Sequence, residues 1–291
     1  MTATTNPIPG TGAHKAPEAP RAPIDWARIG AYVVLLLLAV VYLGPLLMLL
    51  NTSLLTPAEF NRSPMTLPSS LSLDNFFEAW DKANFARYLL NSVLYVVIST
   101  TVFVVTGTFL SVAIARRFVR GGGLMFTLFL IALFLPPALI PQFQLILRLG
   151  LFNNPIGYMM LFVVNPIGIV ILVNYIRTIP IELDEAAAIE GAGYLRYVFQ
   201  IVMPLAKPAI ATVAVLHSIG IWNELILPTI YLTSEDYYPV TRGLIAFQGV
   251  YGNNWPLLAA GVMMIALPMV VFFIFAQRYI IGGVTAGAVK G

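Results

Sequence analysis

The stretch ELDEAAAIEGAG, residues 182–193, followed by YLRYVFQIVMPLAKP, residues 194–208, decides how this chain is read. Glu182, Asp184 and Glu185 fall where a helix begins, and carboxylates there interact favourably with the helix dipole. Thr178 or Ile179 is the expected cap, with Pro180 in the first turn, where a missing amide costs nothing. Ala186, Ala187 and Ala188 give a helix surface without bulk, and Gly191 and Gly193 end it. Tyr194, Leu195, Val198, Phe199 and Val202 then continue an apolar face at helical spacing, and Pro204 and Pro208 close the unit. On either side lie apolar runs, Tyr158 to Tyr175 and about Ala209 to Leu232. The stretch is thus a loop of two short helices, 178–208, slung between two membrane segments.

Composition agrees with a bilayer setting. The 291 residues are 59% hydrophobic and 10% charged, whereas an ordinary soluble domain is about half apolar and about a quarter charged. A span needs about 20 apolar residues, and six stretches qualify: Ala31–Leu50, Leu90–Ala115, Leu124–Leu145, Tyr158–Tyr175, about Ala209–Leu232 and about Leu257–Tyr279. Pro136, Pro137 and Pro141 predict an irregular outer end for the third, and Pro166 lies inside the fourth. The fold class is all-α, a polytopic membrane protein with six transmembrane helices. Cytoplasmic loops retain lysine and arginine. With both termini inside, eleven of the 16 such residues face inward, among them the cluster Arg116, Arg117 and Arg120. The loop 178–208 is then cytoplasmic.

Residues 1–28, rich in proline and alanine, read as a disordered cytoplasmic tail. Ala31–Leu50 is too long and too late for a signal-peptide core, so it reads as a retained anchor. Residues 29–86 hold that first span and an external loop, in which Asp74 is the expected cap of an amphipathic helix carrying Phe76, Phe77 and Trp80. Such a helix packs on the spans, lies on the outer membrane surface or meets an external protein. Cysteine is absent, and His14 and His217 make no metal cluster with each other. The basic residues follow the loop ends rather than one stripe, which excludes a nucleic-acid footprint. A phosphate-binding loop requires Gly-Lys-Ser/Thr, yet the lysines precede Ala16, Ala83, Pro208 and Gly291. Any ATP hydrolysis must occur on another polypeptide.

Within the spans Glu224 is the only acid. An ionisable group at membrane depth is a functional candidate by default. Trp222 offers a stacking face and Asn223 both donor and acceptor; equally, Asn223 and Glu224 can hold helices together. Asn91, Gln142, Gln144, Asn165 and Asn174 are weaker candidates of the same kind.

With Glu185, the alanines, Gly191 and Pro204 in order between the fourth and fifth spans, the loop resembles the EAA loop of permease subunits of ABC importers. The likeness covers about Arg87 to Gly291, with a core domain of 87–279; Glu190 replaces the aspartate more often seen before that glycine. The resemblance implies a type I ABC importer permease fold, and docking of a separate ATPase on Glu185, Ala186, Ala187, Glu190, Gly191, Ala192 and Pro204. The Trp222, Asn223, Glu224 run resembles the carbohydrate-uptake branch, and residues 280–291 resemble the terminal peptide of the maltose-type subunit. By that likeness Thr285, Gly287 and Lys290 reach into the ATPase dimer, although composition alone reads a flexible cytoplasmic tail. The implied partners are a second, homologous permease, two ATPase copies that bind the ATP and magnesium, an external solute-binding protein, the lipid bilayer and a sugar. This chain is then a transport subunit in the cell membrane, not an enzyme, and binds no cofactor. An ion-driven transporter using Glu224 as a proton site is the alternative.

Overall fold

The computed structural model describes residues 26–82, 84–250 and 254–288; helices joined by turns and loops make up these residues, with no strand among them. The chain divides after Leu47 into two units, the second beginning at Met48. Helix α1, Trp26–Leu54, contains Pro45 and presents exposed apolar side chains such as Leu36, Leu37 and Val41.

In the second unit, α2 (Pro57–Arg62) opens with a capping box between Thr56 and Glu59. Glu59 also accepts from the backbone amide and hydroxyl of Ser69. These bonds, Ser69's first, lower the Glu59 carboxyl to about 2, so it stays ionised and the loop after α1 stays tied down through mild acid. Helix α3, Asp74–Lys82, begins one residue earlier than its expected cap allows. Asp74 is its first residue rather than its cap, and the Ser72 hydroxyl accepts the Asp74 amide. The helix packs on α4 and α15. Ala79 is buried, whereas Phe77 and Trp80 remain exposed.

Among the described residues three helices are each long and apolar enough to cross a bilayer, Arg28–Leu54, Phe85–Ala115 and Trp255–Gln277. The other three expected spans are each built from two shorter helices. After α4 (Phe85–Ala115), the third segment is α5 (Gly122–Ala132) and α6 (Leu139–Arg148), parted at Pro136 and Pro137 as expected. The fourth is α7 (Pro155–Met160) and α8 (Pro166–Ile176). The loop helices are α9 (Glu182–Ile189) and α10 (Tyr194–Tyr197); a π-helical turn, Val198–Val202, joins the latter to α11 (Met203–Leu205). The fifth segment is α12 (Lys207–Trp222) and α13 (Ile226–Tyr231), followed by α14 (Val240–Val250) and α15 (Trp255–Ala288).

An unpaired backbone group in hydrocarbon costs several kcal/mol, and the breaks of the fourth and fifth segments are paired accordingly. Asn154 accepts the Ile156 amide at 2.8 Å, and Asn165 accepts that of Gly168 at 3.0 Å. The break in the fifth segment was not expected, and Pro228 explains it. A helical proline clashes with the carbonyl four residues earlier and leaves it without a donor. That carbonyl belongs to Glu224, and here the Thr241 hydroxyl donates to it at 2.8 Å.

Helix α4 is the centre of the unit, packed on α8 and α12, with α15 against α12. One core joins Phe103, Ile169, Leu172 and Val213 to the loop residues Ala187, Tyr197, Val198 and Val202. A second gathers Tyr88, Tyr95, Tyr158, Trp222, Tyr238 and Leu257.

Candidate functional site

Helix α9 starts at Glu182, later than expected, and no side chain caps it. Thr178 instead donates back to the Tyr175 carbonyl, and Pro180 precedes the helix. The other end is tightly specified. Gly191 adopts φ +69°. Its amide donates to the Ala188 carbonyl at 3.0 Å and the Ala192 amide to the Ala187 carbonyl at 2.9 Å. This pair of bonds is a Schellman motif, which satisfies the last carbonyls and needs a left-handed residue where Gly191 stands.

Helix α9 has two faces. Asp184 and Ala187, three residues apart, turn inward; Ala187 is 4% exposed and packs in the core. Glu185, Ala186, Glu190 and Gly191 are exposed, and Ala192 is half-buried. Ile189, which the pattern did not single out, is 87% exposed. In the second half of the loop Tyr197, Val198 and Val202 are buried, but Leu195 and Phe199 are not, contrary to a single apolar face. Pro204 is exposed on α11. From there the loop's second half meets α12 at an angle of 84°.

What fixes α9 was missed in the sequence. The Arg116 Nε lies 2.8 Å from Asp184 Oδ2, and its Nη2 donates to the Ile179 carbonyl at 3.0 Å. The Tyr197 hydroxyl donates to Asp184 Oδ1 at 2.5 Å. Burial first, and then this bond, pushes the Tyr197 phenol up to about 12, so it remains a donor at neutral pH. By its place in the sequence Arg116 marks only topology.

The other expected residues do not share a site. Trp222 borders an apolar cavity of about 380 Å³ between α4, α12 and α15, alongside Val96, Met269 and the mutually bonded Thr100 and Ser218. Asn223 is exposed, and its amide nitrogen donates to the Ile219 carbonyl. Glu224 Oε1 accepts the amides of Ile226 at 2.8 Å and Leu227 at 3.1 Å, capping α13. Replacing Glu224 by alanine is expected to lower stability by about 1 kcal/mol, the usual worth of such a cap, whereas glutamine, keeping the oxygen, preserves most of it. Thermal unfolding of the purified variants in detergent measures the difference.

Asn91 donates to the carbonyls of Asp236 and Tyr238, Tyr231 donates to Gln142, and Asn165 spans Gly168 and His217. Gln144 and Asn174 are exposed. The expected irregular tail is helical as far as Ala288, which places Thr285 and Gly287 in the closing turns of α15; Lys290 lies outside the described residues. Two adjacent glycines cost a helix only about 2 kcal/mol together, too little to end one that propagates from so long an apolar segment.

Comparison with known proteins gives this geometry its setting. The chain is 32% identical over 273 residues to the melibiose/raffinose/stachyose import permease protein MelC of Bacillus subtilis, covering 89% of this chain and 96% of that protein. It is 34% identical to the arabinooligosaccharides transport system permease protein AraQ of Halalkalibacterium halodurans, covering 87% and 93%. Its fold resembles a chain in the crystal structure of a bacterial ABC transporter involved in the import of the acidic polysaccharide alginate, with TM-score 0.79 and 22% identity over 91% of this chain and 99% of that one. The family described as the binding-protein-dependent transport system inner membrane component matches residues 84–280. The loop with its Schellman-capped helix lies within those residues, and the chain belongs to that family of ABC importer permeases.

Proposed function

We propose that this chain forms half of the passage for a sugar or sugar-like solute, driven by a separate ATPase that docks on α9. The observation that carries the reading is the division of α9 into an inward face, Asp184 and Ala187, and an outward one, Glu185, Ala186, Glu190 and Gly191. A rigid short helix anchored on one side and bare on the other is suited to a partner's groove. The solute class follows from relatives named for melibiose, raffinose and stachyose, for arabinooligosaccharides and for diacetylchitobiose. On this reading both termini and the loop are cytoplasmic, where ATP and magnesium serve the partner. A second permease completes the pore and an external binding protein delivers the solute.

Trp222, Asn223 and Glu224 supply this chain's contribution to the passage at the break between α12 and α13. An unwound segment at membrane depth is tolerated where it lines a cavity or is buried in protein. Glu224→Gln, which spares the cap, is then expected to reduce apparent sugar affinity or uptake rate about tenfold or more, as loss of a charged hydrogen bond of about 1.5–3 kcal/mol implies. Unchanged uptake kinetics per folded protein would remove Glu224 from the path. The ion-driven alternative gains no support, since capping α13 accounts for the one acid in the spans.

The test of the whole reading is gentle purification of the tagged chain from its native membrane, with identification of what accompanies it. An ATPase and a second permease are expected. Recovery of the chain alone, with sugar uptake that follows the proton gradient and ignores ATP, would overturn it.

A further inference from the structure

We propose that Arg116 is a positioning residue that delivers movement of α9 to α4, acting through Asp184. The inference rests on the reading of α9 as the ATPase dock, and concerns what lies behind that dock.

The end of α4 is built to hold this arginine in place. The Arg117 amide donates to the Ile114 carbonyl and the Phe118 amide to the Ala113 carbonyl. Arg117 takes the left-handed conformation at φ 57°. This is again a Schellman motif, now with arginine where glycine is usual, and it fixes Arg116 and Phe118 on either side of the turn. Phe118 meets Tyr194 edge-on at 5.9 Å and Tyr197 at 6.1 Å. About two turns before Arg116 on α4, Phe109 packs on Tyr194 and Phe199, and its carbonyl accepts the Tyr194 hydroxyl at 2.6 Å.

The aromatic contacts cover α10 and the π turn, but α9 itself is tied to α4 by Arg116. The ion pair is largely withdrawn from water, its side chains 7% and 16% exposed, so it is less screened than a surface pair. The same guanidinium holds the Ile179 carbonyl, just before α9. Apolar faces slide over one another, whereas an ion pair at 2.8 Å, flanked by a hydrogen bond from the same guanidinium to the Ile179 carbonyl, resists being pulled apart. A push on α9 therefore has two exits. One runs along the chain through the 84° bend into α12. The other runs through Asp184 and Arg116 into α4, which packs against both α8 and α12.

The test uses the complete transporter in proteoliposomes, with sugar uptake and ATP hydrolysis measured together. In Arg116→Gln the ATPase is expected to remain bound and to hydrolyse ATP. Sugar moved per ATP falls about tenfold, within the range usual for coupling between sites. Arg116→Lys, which keeps the charge but not both contacts, recovers part of the ratio. Tyr197→Phe, which removes only one bond to Asp184, lowers it less. An unchanged ratio, with uptake and hydrolysis falling in step or the ATPase lost, assigns Arg116 a structural role and overturns the proposal. If Arg116→Gln does not fold, a wild-type ratio in both Arg116→Lys and Tyr197→Phe overturns it instead. A wild-type complex that takes up sugar without ATP would defeat the docking reading itself, a result distinct from either.

Discussion

Replacing Gly191 by aspartate is expected to abolish ATP-driven uptake while the chain still inserts and folds. Gly191 sits at φ +69°, and a Cβ built there meets nothing within 4 Å. The internal cost is backbone strain alone, roughly 1–2 kcal/mol for a residue forced left-handed, and aspartate is among the side chains that tolerate that conformation. A loss of function must therefore arise outside the chain, where the partner approaches the turn. A charge left unpaired in a closed interface costs about 3–5 kcal/mol, and every 1.4 kcal/mol is roughly tenfold in affinity. Docking should weaken by more than about a hundredfold on those figures. Asparagine has nearly the same shape and the same tolerance of positive φ without the charge, so Gly191→Asn should fall between wild type and Gly191→Asp. The comparison reads the ATPase retained on the purified chain and uptake per inserted protein. Full uptake by Gly191→Asp would mean that no partner closes over this turn, and docking on α9 would be wrong.

The features that the sequence disclosed are those whose causes are local. Alanines ahead of a glycine give a helix and its stop, and the observed Schellman motif at Gly191 is the geometry such a stop adopts. The third segment broke at its paired prolines for the same reason. Pro228 is an equally local signal for the break at Asn223, masked by the apolar run on both sides, which reads as one span. Other features depend on residues far apart in the chain. Arg116 and Ile179 are 63 positions apart, and no spacing rule connects a basic residue at a span's end with an acid in a later loop. Likewise, Glu224 was noticed for its charge, yet its oxygen serves two neighbouring amides. A carboxylate is read correctly only when the backbone beside it is known to be unwound. The loop's outward face was legible; the inward one, with Ala187 buried and Asp184 clamped, needed the fold.

The second large effect is expected deep in the spans, at Gly168 on α8. A Cβ there would fall 2.5 Å from Cζ of Phe103 and 2.9 Å from a methyl of Val213, far inside ordinary contact. Phe103 cannot swing aside: it is fully buried, and its ring lies 4.6 Å from that of His217. His217 is held in turn by Asn165, whose amide nitrogen is 2.8 Å from Nδ1 while its oxygen caps α8 through the Gly168 amide. Donation from Asn165 makes Nδ1 the acceptor and puts the ring's proton on Nε2. The same glycine thus supplies the amide that closes the broken fourth segment and the space that lets α8 approach α4 and α12. In hydrocarbon, helices associate by close packing rather than by expulsion of water, so lost space is not recovered elsewhere. Gly168→Ala should destabilise the unit by about 1–3 kcal/mol, the usual cost of overpacking, seen as a lower unfolding midpoint in lipid nanodiscs and a poorer folded yield. Shortening the obstructing ring provides the decisive comparison. Adding Phe103→Leu to Gly168→Ala should restore part of the midpoint, so that the two changes together cost less than their sum, as contacting residues do. A wild-type midpoint for Gly168→Ala alone would show that the three helices at this junction have room to part, and α4 would then be too loosely held to carry a displacement from the loop into the membrane.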